Sequence, residues 1–329
     1  MSIPHVSIII PAYNVTSCIG EALESVFGQT YRDFEVIVVN DGCPDTAALE
    51  GVLERYRAGI VYLKQKNRGP AGARNTGIQA ARGELVALLD ADDLWLPQFL
   101  EQQVRVLDQR PELDLLWCDS VLFGESVWAN HRFFELFPPH RPVTLEGIIT
   151  GRCVPVTSCV LVRRAALLNA GLFDEEFRRA EDFDLWIRLA RAGVKADFQK
   201  AALGRRRVRG DSLSADSTAP FEAAIAVLEK LRKALPGADA VTSVVVKELR
   251  RNRAFLAHAR ARDHMERREY GLALSWYRAA NRENWSPIRA LVVVLLNIWP
   301  GLADVVRRRH QDLVRRRRQR PTPVGGAAG

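Results

Sequence analysis

The sequence predicts an α/β protein in which a mostly parallel central sheet is flanked by helices, followed by an α-helical C-terminal appendage. Short apolar runs alternate with helical patterns in the first two thirds of the chain, and several of these runs end abruptly in polar residues. Beyond residue 220 the pattern is helical with few turn signals. A length of 329 residues suits one such core plus an appendage.

The first two predicted strands both end in polar residues. Residues 6–10 form a β-branched run that stops at Pro11-Ala-Tyr-Asn14, and a helical pattern follows. Residues 34–39 form a second apolar run, closed by the turn signal Asn40-Asp-Gly42. Because parallel strands end at the same edge of a sheet, we expect Tyr13 and Asp41 to lie on one edge.

A helix over residues 46–57 and a weak strand over residues 60–64 come next. They lead to the glycine-rich residues 67–77, which we interpret as the entry to a helix over residues 78–82. Such an entry leaves backbone N–H groups free, and Arg74 adds a planar donor fork suited to a phosphate or a base edge. The glycine spacing fits neither a Walker loop nor a dinucleotide fingerprint.

The apolar run at residues 85–89 ends in three carboxylates, in the sequence Asp90-Ala-Asp-Asp93. Acids just past a buried parallel strand stand where open α/β sheets bind ligands. Two carboxylates one residue apart suit Mg²⁺ or Mn²⁺ shared with the phosphates of a substrate, which predicts a diphosphate substrate. The alternative is that Asp92 or Asp93 caps a helix that begins near Pro97.

Residues 154–162 read as a further strand, with Thr157 and Ser158 as a polar step within it. Residues 181–191 read as an amphipathic helix, in which we interpret Asp184 and Arg188 as structural or solvated.

Five motifs resemble, in their order and spacing, those of the family 2 glycosyltransferases with the GT-A fold. The resemblance covers about residues 4–215, so we expect a GT-A catalytic domain over residues 1–215, and ordered motifs are more specific than any one of them. The motifs are Pro11-Ala-Tyr-Asn14, Asn40-Asp-Gly42, Gly72-Ala-Arg-Asn75, Asp90-Ala-Asp-Asp93 and Glu181-Asp-Phe-Asp-Leu-Trp-Ile-Arg188.

The resemblance implies a donor-binding role for several residues. Asp41 matches the acid that contacts the nucleotide base, Pro11 and Tyr13 match the wall beside that base, and Arg74 matches an arginine that contacts the base or a phosphate. The alternatives are a turn residue for Asp41 and half-buried packing for Tyr13.

The resemblance also assigns the metal motif. Asp90 matches the first acid of the family's DxD motif, near the ribose, and Asp92 matches the second, which holds the metal. We therefore expect Mn²⁺ or Mg²⁺ as the cofactor.

At the acceptor side the resemblance implies Asp182 as the general base, with Glu181 as its partner and Trp186 lining the acceptor. Because adjacent helical residues point about 100° apart, we favour Asp182 alone as the base. Packing in the core of an amphipathic helix is the alternative for Trp186.

One segment departs from the family pattern. Many relatives carry a Tyr-Arg-x-His-Gly-type segment, whereas this chain reads Arg206-Arg-Val-Arg-Gly210, with Arg209 where the histidine would be. Arginine cannot bind a cation but can bind phosphate oxygens. We hypothesise that Arg207 or Arg209 clamps the diphosphate, and the alternative is a loop of solvated arginines.

The predicted function is inverting transfer of a sugar from a UDP-, dTDP- or GDP-linked donor to a hydroxyl of a carbohydrate or lipid-linked acceptor. By family analogy, the reaction would belong to surface polysaccharide biosynthesis. The alternative is a nucleotide-binding interaction module without turnover, against which the intact Asp92 and Asp182 argue.

The basic character of the chain belongs to its C-terminal part. Residues 221–329 contain 22 Lys and Arg against 10 Asp and Glu, a net charge of +12, which leaves −4 of the total +8 for residues 1–220. We expect a helical region over residues 216–320, with one tetratricopeptide-like helix pair from the spacing of Tyr270, Ala273, Tyr277 and Ala280, and a disordered tail over residues 321–329.

The apolar residues 288–298 are too few to span a bilayer, and eight arginines follow within residues 307–320. Residues 288–320 suit an anionic membrane surface, against an alternative of helix packing plus a solvated tail. We expect no nucleic-acid partner, because no binding module is recognisable. Without a secretory signal or a paired cysteine pattern, the sequence predicts a cytoplasmic protein, peripheral at most.

Overall fold

The computed structural model describes residues 3–125, 128–208, 218–237 and 239–298. By its internal contacts the chain divides into two compact units: Met1–Asp216 with Lys233–Val245, and Ser217–Arg232 with Val246–Gly329. The domain boundaries that we place at residues 215 and 320 stay predictions. The predicted tail, residues 321–329, lies outside the described residues.

The first unit is built on a sheet to which the described residues contribute eight strands. In chain order these are β1 (Val6–Ala12), β2 (Phe34–Asp41), β3 (Ile60–Gln65), β4 (Leu85–Leu88), β5 (Leu94–Trp95), β6 (Leu115–Gly124), β7 (Val160–Arg163) and β8 (Ala196–Val208). Their order across the sheet is β3-β2-β1-β4-β7-β6-β8-β5.

Most neighbouring strands run parallel, as predicted. The pairs β3–β2, β2–β1, β1–β4 and β6–β8 are parallel, whereas β7 is antiparallel to β4 and β6, and β5 is antiparallel to β8. Strands β1, β2 and β4 are buried along nearly their whole length, which is why their sequences are continuous apolar runs.

Eight helices accompany this sheet in the described part of the first unit. They are α1 (Ile19–Phe27), α2 (Thr46–Leu53), α3 (Gly69–Ala80), α4 (Phe99–Gln109), α5 (Phe133–Leu136), α6 (Leu145–Ile149), α7 (Arg164–Asn169) and α8 (Glu181–Arg191). Helices α1, α4 and α8 bury an apolar stripe and expose a polar one, the pattern of a helix packed on a core.

Helix α3 begins at Gly69, so the interpretation of residues 67–77 as a loop before a helix at Ile78 is wrong. Two of its glycines serve close packing. A Cβ on Gly77 would lie 2.4 Å from Cγ2 of Ile9 in β1, and a Cβ on Gly72 would lie 2.4 Å from Cβ of Arg68. Gly77 therefore allows α3 to lie directly against the sheet, while Gly72 leaves room for the Arg68 side chain. Arg74 lies in the middle of this helix.

Two other predicted elements are shorter in the structure. The helix predicted over residues 46–57 ends at Leu53 and continues as a 3-10 helix, Glu54–Gly59. The strand predicted over residues 154–162 begins only at Val160, because Thr157–Cys159 form a 3-10 turn. In addition, neither Asp92 nor Asp93 caps α4, whose N-cap residue is Gln98.

Four helices are described after residue 217: α9 (Ala219–Lys233), α10 (Ala240–Glu266), α11 (Tyr270–Glu283) and α12 (Pro287–Ile298). The predicted helical appendage is confirmed. The buried residues of α11 are Ala273, Tyr277 and Ala280, and the first two form a core with Met265 of α10 and Leu296 of α12. Within the described ranges, no helix combines the length and apolar character needed to cross a membrane.

Candidate functional site

The carboxyl ends of β2, β1 and β4 meet at one edge of the sheet and bring three sequence motifs together. Strand β1 pairs with β2 on one side and with β4 on the other, so Asp41, Tyr13 and Asp90 follow or end adjacent strands. Tyr13 is 48% exposed, so its ring is available to a ligand, while Pro11 is half-buried within β1. The predicted common edge is thus present.

Asp41 is buried at the end of β2 and is held by two donors. Its Oδ1 accepts a hydrogen bond from Nε2 of Gln65 at 2.6 Å and from the backbone N–H of Arg68 at 2.8 Å. These contacts fix the carboxylate at the entrance to α3. This buried carboxylate accepts hydrogen bonds from neutral donors on two segments. It is therefore held in one orientation, which suits recognition of a ligand.

The three acids after β4 differ in exposure. The backbone N–H of Asp93 donates to the carbonyl of Asp90 at 3.0 Å and closes a turn. Asp90 and Asp92 are partly exposed, whereas Asp93 is buried and accepts a hydrogen bond from the backbone N–H of Arg207 at 2.7 Å. Burial raises the pKa of Asp93 to about 7. Asp93 therefore packs the turn, whereas Asp90 and Asp92 are partly open to solvent.

Arg74 connects the predicted metal motif with the predicted base region. The side chain is 5% exposed, and its guanidinium donates from Nη1 to Oε1 of Glu181 and from Nη2 to Oδ1 of Asp90, each at 2.6 Å. Its Nε is buried without a hydrogen-bond partner among the described residues, and the guanidinium lies 5.4 Å from the ring centre of Phe173. Helix α3 thus links the end of β4 to the start of α8.

Burial and the nearby opposite charges have opposing effects on the pKa values of the groups in this bridge. Burial disfavours the charged guanidinium, but Asp90 and Glu181 outweigh it and raise the pKa of Arg74. Burial also raises the pKa of Glu181, and Asp182 beside it adds to the rise, while Arg74 counteracts it. Removing Arg74 would leave both carboxylates without their buried counter-charge.

Asp182 lies in the first turn of α8, where the helix dipole favours a negative charge. Ala180, the N-cap residue of α8, adopts a left-handed backbone conformation with φ of 58°. Oδ2 of Asp182 accepts a hydrogen bond from the hydroxyl of Thr157 at 3.0 Å, and its Oδ1 accepts from the backbone N–H of Phe183 at 2.7 Å. These contacts orient the carboxylate.

Trp186 is 3% exposed, and its indole N–H has no partner among the described residues. It lines a cavity of about 730 Å³ together with residues of α6, the end of α8 and the start of β8. None of the other residues predicted for the site lines this cavity. The structure therefore places Trp186 in the core next to a separate cavity, and its acceptor role stays a prediction.

Arg207 is anchored from both its backbone and its side chain. Its Nε donates to the carbonyl of Asp92 at 2.9 Å and its Nη2 donates to Oε2 of Glu21 at 2.9 Å. It also lies 4.5 Å from the ring centre of Phe123. Arg207 thus lies beside the predicted metal motif and is oriented by a salt bridge, while its role as a diphosphate clamp stays a prediction. Arg209 lies outside the described residues.

Sequence reasoning missed several side chains that position the site. Ser158 accepts a hydrogen bond from the backbone N–H of Asp90 at 3.2 Å, Thr157 contacts Asp182, and Glu21 pairs with Arg207. The polar step at Thr157 and Ser158 within an apolar run is the signal that could have identified two of them. Glu21 has no such signal, because an acid in the first turn of a surface helix is common.

Metal binding by the acids after β4 is chemically consistent with their placement. In the described part of the chain, no group of three His, Cys, Asp or Glu side chains could enclose a metal ion. Mg²⁺ and Mn²⁺ commonly take only one or two carboxylates and complete their shell with phosphates and water. The partly exposed carboxylate of Asp92, with Asp90 beside it, provides that donor set.

Comparison with known sequences identifies relatives. Residues 7–169 match the model of glycosyl transferase family 2. The chain is 32% identical over 200 residues to an uncharacterised glycosyltransferase of Rickettsia typhi, a match that covers 57% of this chain and 59% of that protein. It is 31% identical over 222 residues to the minor teichoic acid biosynthesis protein GgaB of Bacillus subtilis, covering 65% and 24%. The chain thus spans little more than half of the first relative and a quarter of the second.

Solved structures with low sequence identity share the fold. The S. aureus protein TarS, residues 1–349 in complex with UDP-GlcNAc, matches with a TM-score of 0.61 at 20% identity over 96% of this chain and 93% of that one. The mannosyltransferase PcManGT from Pyrobaculum calidifontis, in complex with GDP-Man and Mn²⁺, matches with a TM-score of 0.62 at 19% identity over 93% and 87%. The fold is the GT-A fold, as the motifs predicted. Because the family model also spans the strand ends that carry Tyr13, Asp41 and Asp90, we conclude that residues 7–169 of this chain belong to glycosyl transferase family 2.

Proposed function

We propose that this protein transfers a sugar from a nucleoside-diphosphate sugar to an acceptor hydroxyl, with inversion at the anomeric carbon. The observation that carries the proposal is the bridge from Asp90 through Arg74 to Glu181, since it joins the predicted metal motif and the predicted base region at one edge of the sheet. Donor and acceptor groups would meet between these two regions.

The donor nucleotide would bind along the ends of β1, β2 and β4. Asp41 would use its second carboxylate oxygen for the base, since Oδ1 already accepts two hydrogen bonds. The half-exposed ring of Tyr13, with Pro11, would form the wall beside the base. Asp90 would contact the ribose. TarS and PcManGT were solved with UDP-GlcNAc and with GDP-Man, which supports a nucleotide-sugar donor but leaves the UDP, dTDP and GDP classes open.

The diphosphate would lie beside Asp92 and Arg207. Asp92, with Asp90, would hold Mn²⁺ or Mg²⁺, which neutralises the charge that develops on the leaving diphosphate. The Mn²⁺ in the PcManGT complex supports this choice. Arg207 would contribute positive charge at the same place, and Arg209, three residues after the Arg206 that begins this segment, is proposed as a second phosphate contact.

Asp182 would remove the proton from the acceptor hydroxyl as that hydroxyl attacks the anomeric carbon. The hydrogen bond from Thr157 orients its carboxylate, and the helix N-terminus stabilises the charged form that a base requires. Glu181, adjacent in sequence, is engaged with Arg74 and would act as a partner that positions the base. A single displacement of this kind inverts the anomeric centre.

The acceptor is proposed to be a carbohydrate or a lipid-linked hydroxyl, used in surface polysaccharide biosynthesis on the cytoplasmic side of the membrane. The relative GgaB is a minor teichoic acid biosynthesis protein, which supports this class of product. Trp186 keeps its proposed place on the acceptor side, as the family resemblance implies, through the helix α8 that it shares with Asp182.

The experiment that tests the proposal is transfer of the donor sugar to water, followed by proton NMR. We expect an α-linked donor to release the β-sugar first. Asp182→Asn should lower the rate about 100-fold or more, because a general base typically contributes that much, and should leave donor affinity nearly unchanged. The exposed Asp108 on α4 provides the control variant Asp108→Asn.

Release of the α-sugar would contradict inversion, and an unchanged rate in Asp182→Asn would remove Asp182 as the base. A wild-type protein that binds the donor but never turns it over would favour the alternative function, a nucleotide-binding interaction module.

A further inference from the structure

Helix α12 exposes a row of large apolar side chains. Ile288 is 58% exposed, Leu291 54%, Val294 49% and Ile298 77%. Their spacing of three or four residues places them on one side of the helix, and we call these four residues the α12 apolar face. Trp285, just before the helix, is 70% exposed.

The other side of the same helix is already used for packing. Leu296 is 4% exposed in a core with Ala261, Met265 and Tyr277, and Val292 and Val293 pack partly against it. Leu295, four residues after Leu291, also packs partly against this core, at the edge of the α12 apolar face. The four residues of the α12 apolar face are themselves not part of this core. Single apolar side chains scattered over a surface are common, but a row of adjacent exposed ones marks a binding surface.

The charge of the adjacent sequence indicates what binds there. Residues 287–329 contain nine arginines against two aspartates, a net charge of +7. Eight of these arginines come after the apolar face in the sequence, within residues 307–320. An anionic lipid bilayer has an apolar interior and a negatively charged surface. It therefore complements both the apolar face and the arginines.

We propose that the α12 apolar face binds the surface of an anionic lipid bilayer. The apolar side chains would enter the boundary between headgroups and acyl chains, with α12 lying in the plane of the membrane. The arginines would attract the negative headgroups. The proposal concerns where the protein is held and does not depend on the transfer reaction.

The test uses the full-length protein and sedimentation with vesicles, without donor. We expect the wild type to pellet with vesicles of phosphatidylcholine and phosphatidylglycerol, and to bind vesicles of phosphatidylcholine alone far less. Raising the salt concentration from about 0.05 M to 0.5 M should release it, because screening shortens the reach of the charges.

The double variant Leu291→Ser/Val294→Ser should bind anionic vesicles at least about ten-fold more weakly than the wild type, because it removes apolar area that the bilayer would bury. The matched control is Leu168→Ser on α7, which also removes an exposed leucine, at 40% exposure, and should bind like the wild type. Circular dichroism checks that all three proteins have the same helix content.

Failure of the wild type to pellet with anionic vesicles at low salt would overturn the proposal. So would equal binding by the wild type and the double variant. Analytical ultracentrifugation without vesicles covers a different occupant: a wild type that forms dimers, combined with a monomeric double variant, would assign the α12 apolar face to a second copy of this chain and overturn the membrane proposal.

Discussion

The buried guanidinium of Arg74 contacts a carboxylate from each half of the candidate site. Both hydrogen bonds measure 2.6 Å, and the side chain is 5% exposed, so little freedom remains for either partner. Asp90 begins the metal motif and Glu181 begins the helix that carries the predicted base. We infer that Arg74 is a positioning residue that sets the separation of the two regions, in addition to any contact with the donor.

The variant Arg74→Lys tests this role, because lysine keeps the charge but cannot reach two carboxylates with a planar fork. We expect kcat for transfer to water to fall about 10-fold or more through misplacement of the base, while donor affinity changes far less. Kinetics on Arg74→Lys, with calorimetry of donor binding, measure both quantities.

The control for that experiment is Arg55→Lys, which alters an exposed ion pair with Glu24 at 3.0 Å and should leave both quantities unchanged. A loss of donor affinity in Arg74→Lys without loss of kcat would show that Arg74 acts directly on the nucleotide.

Residue types at strand ends could be read from the sequence, but their partners could not. Tyr13, Asp41 and Asp90 were placed on one edge because parallel strands must end there. The contacts of Arg74 with Asp90 and Glu181 join residues up to 107 positions apart, and no local pattern encodes them. The motif resemblance named these residues and left their geometry open.

At the scale of elements, helix α3 depends on its glycines to approach the sheet. A Cβ on Gly77 would lie 2.4 Å from Cγ2 and 3.3 Å from Cδ1 of Ile9, a fully buried side chain in β1. By contrast, Gly51 in α2 has nothing within 4 Å of an added Cβ. An added methyl group would therefore test close packing at Gly77, and helix propensity alone at Gly51.

We expect Gly77→Ala to lower the free energy of unfolding by about 1–3 kcal/mol, because an added methyl group in a packed core forces a shift of its neighbours. Gly51→Ala should raise it by about 0.5–1 kcal/mol, since alanine favours a helix and meets no contact there. Urea unfolding of both variants measures the difference. A neutral or stabilising Gly77→Ala would contradict the packing role of the glycine.

Glycine also explains why the predicted start of α3 differs from the structure. Glycine occurs both in loops and at close contacts between elements, so a glycine-rich stretch such as residues 67–77 does not by itself distinguish a loop from a helix. The buried strands are easier to predict, because a strand that is buried on both faces is apolar along nearly its whole length. The polar step at Thr157 and Ser158 was read as part of a strand, whereas it forms the turn that contacts Asp182 and Asp90.

At the scale of the whole molecule, charge and chemistry are distributed unevenly along the chain. Residues 1–220 carry a net charge of −4 together with the motifs that suit a diphosphate donor, while residues 221–329 carry +12. The uneven charge and the helical pattern after residue 220 could be read from the sequence, because neither depends on long-range contacts. The cavity beside Trp186 was not predicted, because voids arise from packing between distant segments.

The central claim is that the strand ends bind a nucleotide sugar through a divalent metal held by Asp92. The most direct measurement is calorimetric titration with UDP-, dTDP- and GDP-sugars, with and without Mn²⁺, on the wild type, Asp92→Asn and the control Asp108→Asn. We predict that one donor class binds in a metal-dependent manner to the wild type and the control, and that Asp92→Asn loses the metal-dependent part. Absence of metal-dependent binding of every donor to the folded wild type, or undiminished metal-dependent binding to Asp92→Asn, would contradict the claim.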